Sequence, residues 1–155
     1  MTASSPATAE VVDPRGPRFA AIITSVVLAA SVALGPQWGL PLLILQAIAF
    51  AIGAILGVRY QPYGWVFRRF VRPRLAPPAE LEDARPPRFA QAVGLGFALV
   101  GLIGGVFGLA TVFYIATGFA LVAALLNAVF DYCLGCELYL LGKRLFAKPA
   151  TVEGA

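Results

Sequence analysis

The chain has 155 residues, of which 59% are hydrophobic and 13% charged, with a formal net charge of +4 and no histidine. An ordinary soluble domain carries roughly 45 to 50% apolar and about 25% charged residues, so this composition excludes one and points to a membrane protein. Without histidine, the commonest proton shuttle and metal ligand is missing, and any metal would have to rest on the two cysteines and on carboxylates.

In chain order, residues 1–12 are small, polar and rich in Ala and Pro, which predicts a disordered tail. No basic residue precedes Glu10 and Asp13, so the tail does not read as a secretory signal. Phe19 to Leu34 is the first apolar run, and Gly35-Pro36-Gln37-Trp38-Gly39 breaks it with turn formers. Leu40 to Val58 is the second and ends at Arg59-Tyr60-Gln61-Pro62. At 1.5 Å per residue such runs reach only about 24 to 29 Å, slightly short of a roughly 30 Å hydrocarbon core.

Residues 73–82 form a polar linker, inside a basic stretch from Arg68 to Arg88 whose five prolines exclude a long helix. Phe89 to Phe130 carries no charge and is too long for one span, so it must fold back, with Gly104, Gly105 and Gly108 as the expected turn. Two further helices follow, near Phe89 to Ile103 and Leu109 to Phe130.

The halves repeat. Asp13-Pro14-Arg15-Gly16-Pro17-Arg18-Phe19-Ala20 and Asp83-Ala84-Arg85-Pro86-Pro87-Arg88-Phe89-Ala90 agree at six of eight positions, seventy residues apart. The expected fold is therefore all-α, with four transmembrane helices as two tandem hairpins. Repeat 1 spans 13–72 and repeat 2 spans 83–146, followed by a second disordered tail at 147–155. With two spans per repeat, both copies share one orientation and a pseudo-two-fold axis along the membrane normal.

All twelve Lys and Arg lie in the N-terminal segment, between Arg59 and Arg88, or in the tail. With four spans these segments share one face, which the positive-inside rule makes cytoplasmic. The expected location is the bacterial inner membrane with both termini inside. Basic residues at such boundaries are expected to meet the bilayer, and no nucleic-acid partner is implied.

Within the apolar runs the polar residues are Thr24, Ser25, Ser31, Gln46, Gln91, Thr111, Thr117 and Asn127. None is ionisable, which lowers the case for proton- or ion-coupled transport but leaves room for a channel or permease. Gly53-x-x-x-Gly57, Gly101-x-x-x-Gly105 and Gly104-x-x-x-Gly108 have the spacing of close helix packing. Tyr63 to Arg72 reads as an interfacial helix with Trp65, Phe67, Phe70 and Val71 toward lipid, and Glu137 to Phe146 as an amphipathic tail helix. Both would anchor to anionic lipid.

Asp13 and Asp83 suit helix starts, and Arg18 and Arg88 can reach outward from the membrane edge. Symmetry also allows Arg15, Arg18, Arg85 and Arg88 to gather as a cytoplasmic anion site.

Both cysteines fall in Phe130-Asp131-Tyr132-Cys133-Leu134-Gly135-Cys136-Glu137, directly after the last apolar run. Inside a helix, i and i+3 side chains stand some 5 to 6 Å apart at Cβ, wider than the 3.5 to 4.5 Å of a disulfide. A redox pair therefore needs a helix start or break, with Asp131 expected as the N-cap and Cys133 in the first turn. Cys133 and Cys136 are the candidate redox or persulfide residues, with Cys133 the accessible attacking thiol and Cys136 the resolving one. A soft-metal site shared across a homo-oligomer and plain packing are the alternatives, and no cofactor or metal within the single chain is expected.

The doubled Asp-x-Arg-x-Pro-Arg-Phe, the four spans and the closing Phe-Asp-Tyr-Cys-Leu-Gly-Cys resemble the bacterial membrane proteins grouped as domain-of-unknown-function family 4395, over about Val12 to Phe146. That resemblance implies an association with thioredoxin-like proteins and rhodanese-type sulfurtransferases, hence thiol or sulfane-sulfur traffic at Cys133 and Cys136. It implies no established enzyme activity. A permease for a small sulfur-containing anion and a structural module without chemistry remain the other readings.

Overall fold

The computed structural model describes residues 9–147. Among the described residues six α-helices run in the order α1 Arg15–Trp38, α2 Leu40–Ile55, α3 Pro62–Val66, α4 Arg85–Val106, α5 Ala110–Phe130 and α6 Leu134–Phe146. Two short strands, β1 Val11–Val12 and β2 Glu82–Asp83, precede α1 and α4. Of the expected tails at 1–12 and 147–155, residues 1–8 and 148–155 lie outside the described residues. Val11 and Val12, expected in the first tail, instead pair antiparallel with Asp83 and Glu82 respectively.

Among the described residues, α1, α4 and α5 are long and apolar enough to cross a membrane. Their 24, 22 and 21 residues correspond to roughly 32 to 36 Å of helix at 1.5 Å per residue. The shorter apolar helix α2 has 16 residues, or about 24 Å. α1 and α4 exceed their apolar runs because they extend into polar flanks, starting at Arg15 and Arg85, whereas α2 ends at Ile55, short of the Val58 end of its run.

The Gly35 break takes a different form from the expected stop. Helical bonding resumes immediately beyond it, so α1 runs on to Trp38 through a kink at Gly35, whose φ of 73° lies in the left-handed region. Ser31 Oγ donates to the Gly39 carbonyl at 2.9 Å and ties the two sides of that kink together. At the second turn, only Gly108 (φ 72°) has the unusual backbone; Gly104 and Gly105 are still within α4.

Packing is organised by α1 on α5 and α2 on α4, with α4 also against α5 and α6. The core contains Leu28, Leu43, Ala47, Phe50, Ala98, Phe113 and Ala120. Polar Thr24, Ser25, Ser31, Gln46 and Thr117 are buried, whereas Leu45, Ile48, Val106, Phe119, Val122 and Val129 are exposed. An apolar exterior around a partly polar interior is the distribution that a hydrocarbon solvent selects.

Close approach explains most of the paired glycines. A Cβ at Gly101 would stand 2.8 Å from Thr117 Oγ1, at Gly104 2.6 Å from the Phe113 nitrogen, and at Gly53 2.9 Å from Gln91 Cγ. Gly57 and Gly108 differ from the packing expectation, since both are turn residues with positive φ.

Candidate functional site

The C-terminus of α5 is closed by Asp131 in the left-handed conformation (φ 56°), with the Tyr132 N–H donating to the Leu126 carbonyl at 3.2 Å. The Asp131 N–H also donates to the Asn127 carbonyl at 3.1 Å, the five-to-one bond of a left-handed helix stop, which Asp tolerates better than most residues. The expected break is therefore present, but Asp131 ends one helix instead of capping the next. Cys133 is the N-cap of α6: its Sγ accepts from the Cys136 N–H at 3.4 Å.

With Cys133 outside the helix, the pair escapes the wide i to i+3 spacing of a helix interior. The Sγ atoms lie 2.6 Å apart, with Cys136 donating to Cys133, a short movement from the roughly 2.05 Å of an S–S bond. Both thiols are free. The Cys136 S–H bond, together with the Gly135 and Cys136 amides, holds the Cys133 thiol below its ordinary pKa, against the opposing effects of burial and Glu137. The same hydrogen bond and burial push Cys136 upward, so it keeps its proton. Accessibility does not separate the two as expected, because both are half-buried; hydrogen bonding does.

Gly135 fixes the motif against the bundle. A Cβ there would come within 2.5 Å of Ala90 Cβ and 2.6 Å of Ala90 Cα, so only glycine lets α6 lie this close to α4. Tyr139 adds an aromatic contact with Phe89, centroids 5.8 Å apart. The exposed Leu138, Leu141, Leu145 and Phe146 form the outer face of α6, and Lys143 and Arg144 occupy its last turn.

Cys133 and Gly135 belong to the wall of a cavity of about 250 Å³ between α1, α4, α5 and α6. Its other walls include Phe50, Phe97 and Phe119, with Thr24, Gln91 and Asn127 as polar groups.

The four arginines expected to share an anion site are engaged in two other ways. Arg15 pairs with Asp13 at 2.9 Å and Arg85 with Asp83 at 2.7 Å, holding both carboxyls below the usual carboxylate range. Each aspartate also accepts from the backbone N–H of its arginine. Arg18 Nε donates to the Ala128 carbonyl, while Arg88 donates to Ala54 and Ile55. These two arginines thus serve carbonyls at the C-terminal ends of α5 and α2, where cationic groups are favoured.

A second cavity, of about 720 Å³, is lined by Arg59, Arg68 and Arg72, by Glu10 and Asp13, and by Gln61 and Gln91. Burial and the charges of Arg59 and Arg72 push Arg68 below its ordinary pKa. Phe67, expected toward lipid, is buried against Phe19, with ring centroids 5.7 Å apart, because the helix from Pro62 gives way to a π turn at Phe67–Val71. Trp65 and Phe70 remain on the outside.

Two polar links were not visible in the sequence. Tyr63 donates to Gln46 Oε1 at 3.0 Å and Gln46 to Thr24 Oγ1 at 3.2 Å; Gln61 donates to Gln91 Oε1 at 3.4 Å. Gln61 and Tyr63 lie outside the apolar runs, and nothing in their spacing marks them as interior.

The molecule is an all-α protein of apolar, membrane-compatible helices with a dithiol at the junction of its last two helices. The chain belongs to the family described as a domain of unknown function (DUF4395), whose sequence profile matches residues 12–144. No curated protein and no solved structure gives a significant match.

Proposed function

We propose that the protein is a four-span inner-membrane anchor whose Cys133–Cys136 pair exchanges thiols or sulfane sulfur with a cytoplasmic thioredoxin-like or rhodanese-type protein. The observation that carries this reading is the approach of two free thiols, with Sγ atoms 2.6 Å apart at the start of α6, while the lowered Cys133 and raised Cys136 pKa favour Cys133 as the nucleophilic sulfur and Cys136 as the protonated one that resolves its adducts. Addition of an organic persulfide or a small disulfide to the purified protein is expected to place sulfur on Cys133 or convert the pair to a disulfide, reversibly with dithiothreitol. Mass spectrometry showing two unchanged thiols would remove the reading.

In this arrangement α2 is the fourth span, matched to the bilayer by local thinning around its shorter length. The two-fold repeat is supported by the strand pairing: Val12 lies opposite Glu82, its own counterpart seventy residues on, as a two-fold axis through an antiparallel ribbon requires. Cross-packing follows the same rule, α1 on α5 and α4 on α2. Both termini, the β ribbon and the Arg68 to Arg88 stretch face the cytoplasm, while Gly35 to Gly39 and Gly104 to Gly108 face outward. An impermeant maleimide applied to intact cells should leave Cys133 unlabelled; labelling from outside would reverse the orientation.

A second reading, binding or passage of a small sulfur-containing anion, is favoured by the cavity lined with Arg59, Arg68 and Arg72. Uptake of such an anion into proteoliposomes that survives Cys133→Ser would favour it over thiol chemistry.

A further inference from the structure

The cavity beside the dithiol has a chemistry of its own. Apart from the Cys133 sulfur, none of its lining side chains is ionisable, although arginines crowd the neighbouring cavity. Phe97 and Phe119 are nearly parallel, with centroids 6.0 Å apart and planes at 27°, and Phe50 adds a buried third ring. Thr24, Gln91 and Asn127 supply neutral hydrogen-bonding groups on the same walls. At about 250 Å³ the space falls below the roughly 300 to 1,000 Å³ of drug-sized sites, which suits one substituted ring and excludes a peptide or nucleotide. Phe119 and Leu138 are exposed, so the rim of the cavity lies on the apolar outer surface, where a hydrocarbon-soluble molecule arrives.

We propose that this cavity holds the ring of a lipid-soluble quinone, which takes two electrons from the Cys133–Cys136 pair. This rests on the thiol reading above and adds the electron acceptor to it. The Cys133 thiolate adds to a ring carbon and forms a C–S bond. Cys136, losing its proton, then attacks the Cys133 sulfur; the S–S bond forms, the C–S bond breaks, and the electron pair stays on the ring. The two ring oxygens take up two protons, one from Cys136 and one from water. One thiolate, one thiol, one quinone and one proton become one disulfide and one hydroquinone. The disulfide is returned to the dithiol by exchange with the partner's thiols.

The test uses the full chain, reduced and reconstituted in lipid nanodiscs, with a fully ring-substituted, short-tailed ubiquinone analogue that has no ring hydrogen to lose to irreversible arylation. The expected result is one equivalent of hydroquinone per chain with loss of both thiols, at least tenfold faster than with a free dithiol at the same concentration. Ala124→Phe, which fills the cavity, should slow this reaction at least tenfold while exchange with a small disulfide continues. A rate no faster than the free dithiol, or an unchanged rate in Ala124→Phe, overturns the proposal. Exchange with the small disulfide separates the two readings: if it persists without quinone reduction, only the acceptor is wrong, and if both are absent, the thiol reading falls as well. Should Ala124→Phe fail to fold, an azidoquinone on the unaltered protein decides: labelling of peptides holding Phe97 or Phe119 supports the site, and labelling confined elsewhere overturns it.

Discussion

Cys136→Ser is expected to accumulate a covalent adduct through Cys133, and Cys133→Ser is expected to accumulate none. In exchange, the thiolate attacks the partner's sulfur and forms a mixed disulfide, which a second thiol must displace. Serine at 136 cannot displace it, so the intermediate persists. The choice of serine matters, because its hydroxyl can still donate to Cys133 as the native thiol does, whereas alanine would remove both the resolving atom and the hydrogen bond. Non-reducing electrophoresis followed by mass spectrometry identifies the adduct. Failure of both variants to trap a partner would count against thiol exchange. Zinc at about half an equivalent per chain in the same preparation would point to four thiolates shared across a dimer.

Gly135→Val should be the most damaging single substitution in α6. The new Cβ would meet Ala90 at both its Cβ and its backbone Cα, so no side-chain rotation relieves the clash and α6 must move away from α4. Overpacking of this kind typically costs about 1 to 3 kcal/mol. Displacement also misaligns the Gly135 and Cys136 amides that lower the Cys133 pKa, so reactivity at neutral pH falls together with stability. Gly142→Ala is the control on the same helix: a Cβ there has nothing within 4 Å, and replacing a helical glycine with open space around it gains up to roughly 1 kcal/mol. The unfolding temperature in detergent and the rate of Cys133 alkylation should both drop for the first variant, whereas the second should keep the alkylation rate and hold or raise the unfolding temperature.

The long helices were legible because uncharged apolar runs of this length have few alternatives in a bilayer, and the break after Phe130 because no straight helix accommodates both that run and the cysteine tail. Local chemistry at the joins was less so. Gly35 reads as a stop, yet a left-handed glycine followed by Pro36 permits a kink with helix on both sides. Asp131 reads as an N-cap, yet the same short polar side chain also suits the left-handed stop that it forms. Two-residue strands carry no periodicity, so the β1–β2 ribbon left no trace. Phe67 has the same hydrophobic character as its exposed neighbours, and only the π turn sends it inward. The cysteines announced themselves by spacing, but the lock of Gly135 on Ala90 and the cavity behind Cys133 arise from helices far apart in the chain.

Alkylation of each cysteine between pH 5 and 10, followed by mass spectrometry, tests the central claim most directly. A lowered pKa means that the thiolate forms at a lower pH than in a free thiol, so the Cys133 rate should rise to half its plateau below the usual value of about 8.5. Cys136, held as a thiol, should remain unmodified while Cys133 reacts to completion. Two cysteines that titrate together at or above about 8.5 would contradict the division of labour on which the proposed function stands.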